Sequence, residues 1–186
     1  MTEMQTLARV RHELLVLGDW AFDRLRSRVE GLTDAEYLWE PAPGCWSLRP
    51  GPDGTHGFEW DPHHPEPQPL TTIAWRLSHV TDILAGDRNA SWIGLTPRGL
   101  SDEERRAAGE AATAAAAIAA LERAYARFRS HMSTMDSETL LEPMGDVAGQ
   151  WGKDTRLAFV LHELDELIHH GAEIATLRDL YRALHA

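Results

Sequence analysis

Three side chains near the end of the chain, His162, Glu166 and His170, have types and spacing that could do chemistry. They recur every fourth residue in HELDELIHHGAEIATLRDLYRALHA (162–186), a stretch with no proline and a single glycine, Gly171. From Asp154 onward the sequence predicts one long helix. Positions four apart on a helix stack on one face, so two imidazoles and a carboxylate form a line about 12 Å long at 1.5 Å of rise per residue. Glu166 and His170 lie one turn apart, close enough for one divalent ion to take both. A histidine on another strongly helical segment, His79, would complete a set of two histidines and a carboxylate.

A plainer reading competes. Leu157, Val160, Leu161, Leu164, Leu167, Ile168, Gly171 and Ile174 define the face expected to meet a core. The His/Glu line lies roughly opposite it, as an ordinary solvated face would. Against that, Ile174, Leu177 and Tyr181 continue beside the line, so the helix is apolar around much of its girth and the line reads as the wall of a polar pocket. Spacing alone leaves both readings open.

If the line is a metal site, three protein ligands leave an open coordination position, the mark of a catalytic zinc site. Such a position can bind and activate a substrate atom or a water at neutral pH. His162 or Glu173 would be the proton acceptor. The same ligand set suits nickel or non-haem iron(II), so oxygen chemistry stays in view. The competing class is a non-catalytic or stress-response bundle in which a structural metal only clamps two helices.

Composition narrows the partners. The chain has 186 residues, with 18 Lys+Arg against 29 Asp+Glu and a net charge of −11. Nucleic-acid surfaces need a basic stripe, so this balance argues against them. The one cysteine, Cys45, rules out an internal disulfide framework and fits a reducing compartment. In its Pro/Gly-rich setting it reads as a small buried hydrophobe. No apolar run approaches the ~18–20 residues of a membrane span, and the N-terminal stretch has no signal-peptide pattern. The expectation is a cytoplasmic protein of one domain, residues 1–186.

Four helices should position the candidate site. Leu7, Val10, Leu14, Leu17, Ala21, Leu25 and Val29 mark the first, over 5–30, with His12 at the margin of the stripe. Thr33 to Glu36 then forms a capping box. Residues 41–69 hold eight of the ten prolines, which predicts an irregular connection pinned by Trp46, Phe58 and Trp60. Its histidines, among them His63 and His64, read as solvated. The second helix is expected from Thr71 or Thr72 to about Gly94, with Trp75, His79 and Ile83 on one stripe. Residues 95–112 form a crossover with a capped turn at 101–104. The third helix runs from Thr113 to about Met135, with Ile118, Leu121, Tyr125, Phe128 and Met132 inward. An internal echo follows helices one and three: LWEP at 38–41 and LLEP at 140–143, each followed by a tryptophan, Trp46 and Trp151. These read as anchors at equivalent bundle ends.

The segments PAPGCWSLRP (41–50), TTIAWRLSHVTDI (71–83) and DELIHHGAEIATLRDLYR (165–182) resemble the DinB-like family of metal-binding four-helix bundles. The resemblance spans nearly the whole chain, and the H-H-G-x-E-I run of the last segment is its most specific part. It implies an all-α bundle of up-down-down-up topology and a homodimer. It also implies a divalent metal, most naturally zinc, on His79, Glu166 and His170, with His162 behind the ligands or lining the pocket. Glu166 stands where many relatives have histidine. That brings the chain near the mycothiol-dependent maleylpyruvate isomerase branch, whose chemistry is thiol-dependent S-transfer or isomerisation using mycothiol or a similar low-molecular-weight thiol. The long insertion over 50–70 departs from the family pattern.

Overall fold

A computed structural model describes residues 2–52, 56–63, 65–97, 99 and 111–186. The capped turn expected at 101–104, His64 and the side chain of Phe58 lie outside the described residues. The helices are α1 (Glu3–Val29), α2 (Asp34–Tyr37), α3 (Ile73–Ala85), α4 (Arg88–Trp92), α5 (Ala114–Thr134) and α6 (Arg156–Leu184). A threonine hydroxyl caps the N-terminus of each long helix: Thr2, Thr72, Thr113 and Thr155 accept from backbone N–H groups three residues on. Each satisfies one of the orphan donors of a first turn.

Contacts fix the directions of the long helices. Gly18 meets Leu164 and Leu25 meets Gly171, so α1 and α6 run parallel. Arg11 reaches the carbonyl of Met135 and Asp19 accepts from Tyr125, so α1 and α5 are antiparallel. His79 faces Glu166 and Arg76 faces Glu173, so α3 opposes α6. The result is an up-down-down-up bundle, with a shared core that includes Leu25, Leu77, Leu84, Leu121, Phe128, Leu164 and Leu167. Gly18 permits a close approach of three helices: a Cβ there would lie 3.1 Å from both Leu164 and the Tyr125 hydroxyl.

The bundle differs from the sequence expectation in three places, each with a local cause. The predicted second helix is broken. Gly86, at ψ 129°, leaves the helix after Ala85, and the Asn89 amide donates to the carbonyls of Ile83 and Leu84 at 2.9 and 3.2 Å. A side chain thus replaces the missing backbone partners of the last turn. The break turns Arg88 and Asn89 toward α6. Second, the proline-rich connection contains a short antiparallel pair, β1 (Leu48–Pro50) with β2 (His56–Phe58). Proline density excludes a helix but allows three-residue edge strands. Third, Trp60 is 56% exposed and does not pin the connection from inside. Trp46 does: it stacks on Trp75 at 6.0 Å, and its backbone bonds Leu70 and Thr72 at 2.9 Å.

The internal echo has a structural counterpart. Trp46 bridges to Thr71, next to the Thr72 cap of α3, and Pro143 bridges to Thr155, the cap of α6. Each proline turn therefore delivers the chain to the start of the next long helix. Trp151 is no anchor, however: it is 53% exposed and faces a cavity. At the other end of α6, Arg178 is buried and pairs with buried Glu36 at 3.0 Å. Burial pushes the Glu36 carboxyl up, but the Thr33 backbone and Arg178 outweigh it and hold the group at about 2. This pair ties α2 to the bundle. No described helix is long and apolar enough to cross a membrane.

Candidate metal centre

The buried face of α6 is rotated from the expected one. Leu161 and Ile168 are 48% and 38% exposed, whereas Glu163, His170 and Arg178 are buried with Val160, Leu164, Leu167 and Ile174. The reason is that α6 must serve two neighbours, α1 on one flank and α3 on the other. Hydrophobicity alone cannot show where the second neighbour lies. The polar line consequently runs along the seam between α3 and α6 rather than out into solvent.

In that seam the structure brings His79, Glu166 and His170 together. Glu166 Oε2 lies 3.3 Å from His79 Nε2 and 2.9 Å from His170 Nε2. One nitrogen or oxygen from each of the three falls within 4.8 Å of the others. Donors bound tetrahedrally to zinc at ~2.1 Å stand about 3.4 Å apart, so the set fits one ion with little rearrangement. The donor chemistry fits as well: two imidazoles and one carboxylate supply the nitrogen and oxygen ligands of zinc sites.

The surroundings hold the donors in place. His79 stacks on Trp75 at 5.1 Å, and the Trp75 indole N–H donates to the Glu59 carbonyl at 2.6 Å. The proline-rich connection thus braces the ring of a candidate ligand. His170 Nδ1 lies 2.6 Å from Glu173, which also pairs with Arg76 at 3.0 Å. If Nδ1–H donates to Glu173, the lone pair of His170 is left on Nε2, facing Glu166 and His79. This is the carboxylate–histidine arrangement that fixes a metal ligand's tautomer. A second group, His169, His170 and Glu173, also clusters, but Arg76 already supplies its cation. Glu173, a candidate proton acceptor from sequence, is therefore engaged in orienting His170.

Burial favours the uncharged, ligating state of His79. Desolvation is the main cause of its lowered pKa, and the neighbouring His170 adds to it. Desolvation would raise the Glu173 carboxyl, but the His170 hydrogen bond and Arg76 together bring it below its ordinary value. We expect Glu173→Gln to weaken metal affinity about 10–100-fold, the usual cost of losing such a partner. Competition against a chromophoric chelator measures it; unchanged affinity would remove Glu173 from the site.

His162 stands apart from the cluster. Its side chain is 59% exposed and its Nε2 is 3.9 Å from Glu166 Oε1, beyond hydrogen-bond length. It lines a cavity of about 310 Å³ with Arg88, Trp92, Trp151 and Phe159. His63 is exposed and bonds Asp61 within its own loop, as a solvated loop histidine should, and His12 is exposed. Cys45 is buried and free.

Two residues of the centre are not evident from the sequence. Arg76 is three positions before His79, on the same face of α3, which was a usable signal. Glu163 is fully buried one turn before Glu166, with Asn89 Nδ2 at 3.5 Å and Arg88 at 3.7 Å. Burial pushes its carboxyl up to about 8, with Arg88 pulling the other way. Its position four before Leu167 and seven before His170 places it on the buried face once that face is known.

An antiparallel-and-parallel helical bundle with a two-histidine, one-carboxylate cluster in a helix seam defines a class of helical protein able to hold a divalent ion. Residues 18–174 match the DinB superfamily, and the chain belongs to it. No curated protein matches the sequence.

Proposed function

We propose that this protein is a zinc-dependent thiol S-transferase or isomerase, with His79, Glu166 and His170 as the ligands and mycothiol or a similar low-molecular-weight thiol as co-substrate. One observation carries the reading: the three donors converge on one point in a seam where His79 and Glu166 side chains remain 30% and 22% exposed. A ligand set with an accessible side suits substrate chemistry better than a closed structural site. Bound there, a divalent ion would acidify a thiol so that it reacts as thiolate at neutral pH.

The chain's own residues supply the rest. Glu173, itself paired with Arg76, would accept from His170 Nδ1–H and leave Nε2 free to ligate, and Trp75 stacks on the His79 ring. His162, exposed on the cavity wall, is placed to accept the proton that the thiol gives up. Trp92 and Phe159 give an apolar lining to the space in which the electrophile would sit.

The test is metal analysis of the purified protein, then turnover of an electrophile with a panel of mycothiol, bacillithiol, glutathione and cysteine. About one zinc per chain and thiol-dependent turnover that chelation abolishes and zinc restores are expected. The competing reading, a structural clamp, predicts a collapse of thermal stability on chelation and no turnover with any thiol. The core on both sides of the seam is continuous without the ligands, so chelation should lower the melting temperature modestly. Bound metal should also be released as pH falls, because His ligands must be unprotonated. The lowered pKa of His79 shifts that loss below the ordinary imidazole value of 6.5. Full metal content at pH ~4 would exclude histidine ligation.

The assembly we propose is a homodimer. Leu17 and Trp20 on α1, and Leu161 and Ile168 on the parallel neighbour α6, are 37–64% exposed. Together they supply an apolar surface suited to a second copy. Light scattering should give twice 20.8 kDa at micromolar concentration. A monomer mass throughout the concentration range would remove the dimer.

A further inference from the structure

The cavity beside His162 has features that the metal cluster does not explain. It is enclosed by α4, the turn after Met144 and the first turns of α6, and at about 310 Å³ it lies at the small end of small-molecule sites. Trp92, Trp151 and Phe159 give it flat apolar walls, with the Trp92 and Phe159 rings edge to face at 5.1 Å. Trp151 spends 53% of its surface in the open. Leaving an indole in water forfeits burial energy, which a ligand stacked on it would recover.

The charges in the cavity are also specific. The Arg88 guanidinium lies over the Trp92 ring at 5.2 Å. Its one ion-pair contact among the described residues is Glu163, at 3.7 Å, too long for a hydrogen bond. Glu163 is buried and its carboxyl is pushed up to about 8, so near neutral pH it is mostly uncharged and leaves the Arg88 charge uncompensated. Arg88 thus offers a planar fork of donors, which matches a carboxylate. Asp154, exposed, is the one carboxylate on the wall among the described residues and repels a second anionic group.

We propose that the cavity between α4 and the start of α6 binds a planar aromatic or conjugated monocarboxylate, its carboxylate on Arg88 and its ring against Trp92, Trp151 and Phe159. This deepens the proposed function, on which it rests for its role: the ligand is the electrophile's class, seated one side chain from Glu166 by way of His162. A monoanion with one or two rings fits the space. A dianion does not, because Asp154 opposes it, and a saturated ring stacks poorly on the indoles.

Calorimetric titration with 2-naphthoate, its neutral isostere 2-naphthamide and cyclohexanecarboxylate tests the inference, using zinc-loaded and chelator-treated protein. Saturable naphthoate binding is expected, with naphthamide and cyclohexanecarboxylate each at least tenfold weaker. Arg88→Gln should lower naphthoate affinity to that of the amide while leaving amide affinity unchanged; Trp92→Leu should weaken both. The ligand comparison on the unaltered protein stands even if a variant fails to fold. Equal binding of acid and amide, or no binding of either, would overturn the proposal. So would naphthoate binding that survives Arg88→Gln and disappears on chelation, since the carboxylate would then sit on the metal. Selective binding in both zinc-loaded and chelated protein without any thiol turnover would sustain the cavity and defeat the transferase reading. Thiol turnover with no aromatic-acid binding would do the reverse.

Discussion

His79→Ala, Glu166→Ala and His170→Ala should each empty the metal centre, lowering metal per chain from about one to a small fraction under identical purification. The three donors come from two helices and converge within 4.8 Å, so removing any one leaves two protein ligands. Two ligands do not hold zinc against dilution and wash, because structural and catalytic sites use at least three. His162→Ala should retain the metal, since its nitrogen is 3.9 Å from Glu166 and outside the donor cluster, although turnover should fall. His63→Ala is the control for general histidine loss. An empty site in His162→Ala together with a full one in Glu166→Ala would mean a three-histidine ligand set. Full occupancy in all three ligand variants would return the line to an ordinary polar face.

The second large effect concerns Glu163. In the metal-free protein its carboxyl, pushed from 4.5 to about 8, holds a proton that the unfolded chain sheds. The folded state therefore binds more protons than the unfolded state between those values. Stability is fully present below pH 4.5, declines as pH rises through that window, and levels off above about 8. A tenfold change in proton affinity is worth about 1.4 kcal/mol, so the loss is at most about 4–5 kcal/mol. Glu163→Gln keeps the shape and cannot ionise, so its melting temperature should exceed that of the unaltered protein at pH 9, by up to about 20 °C for a chain of this size. At pH 4.5 the two should nearly coincide. Parallel thermal melts across pH in the presence of chelator measure this. A constant difference between the two proteins at every pH would show that Glu163 does not titrate differently on folding.

Much of the architecture was readable from sequence because it depends on local signals. Stripes of apolar residues, threonine caps and glycine or proline stops placed α1, α5 and α6 to within a few residues. The spacing of His162, Glu166 and His170 gave their common side of a helix, since helical geometry does not depend on neighbours. A histidine on another helical segment, His79, offered a companion, and the resemblance implied the same set. The chain's membership of the DinB superfamily agrees with the resemblance itself.

What only the tertiary structure decided follows from long-range contact. Whether the His/Glu line meets water or a second helix depends on where α3 lies across the seam, and no periodicity within α6 encodes that. The break at Gly86 was invisible because Asn89, three residues later, replaces the helix's own bonds by folding back onto Ile83 and Leu84. Glu163 is singled out only by the fold, because α4 turns Asn89 and Arg88 against it. Trp151 read as an anchor by analogy with Trp46, yet one stacks on Trp75 while the other opens onto a cavity. Residue type and spacing fix what a side chain can do. Burial and partners, set by segments distant in sequence, decide which of those things it does.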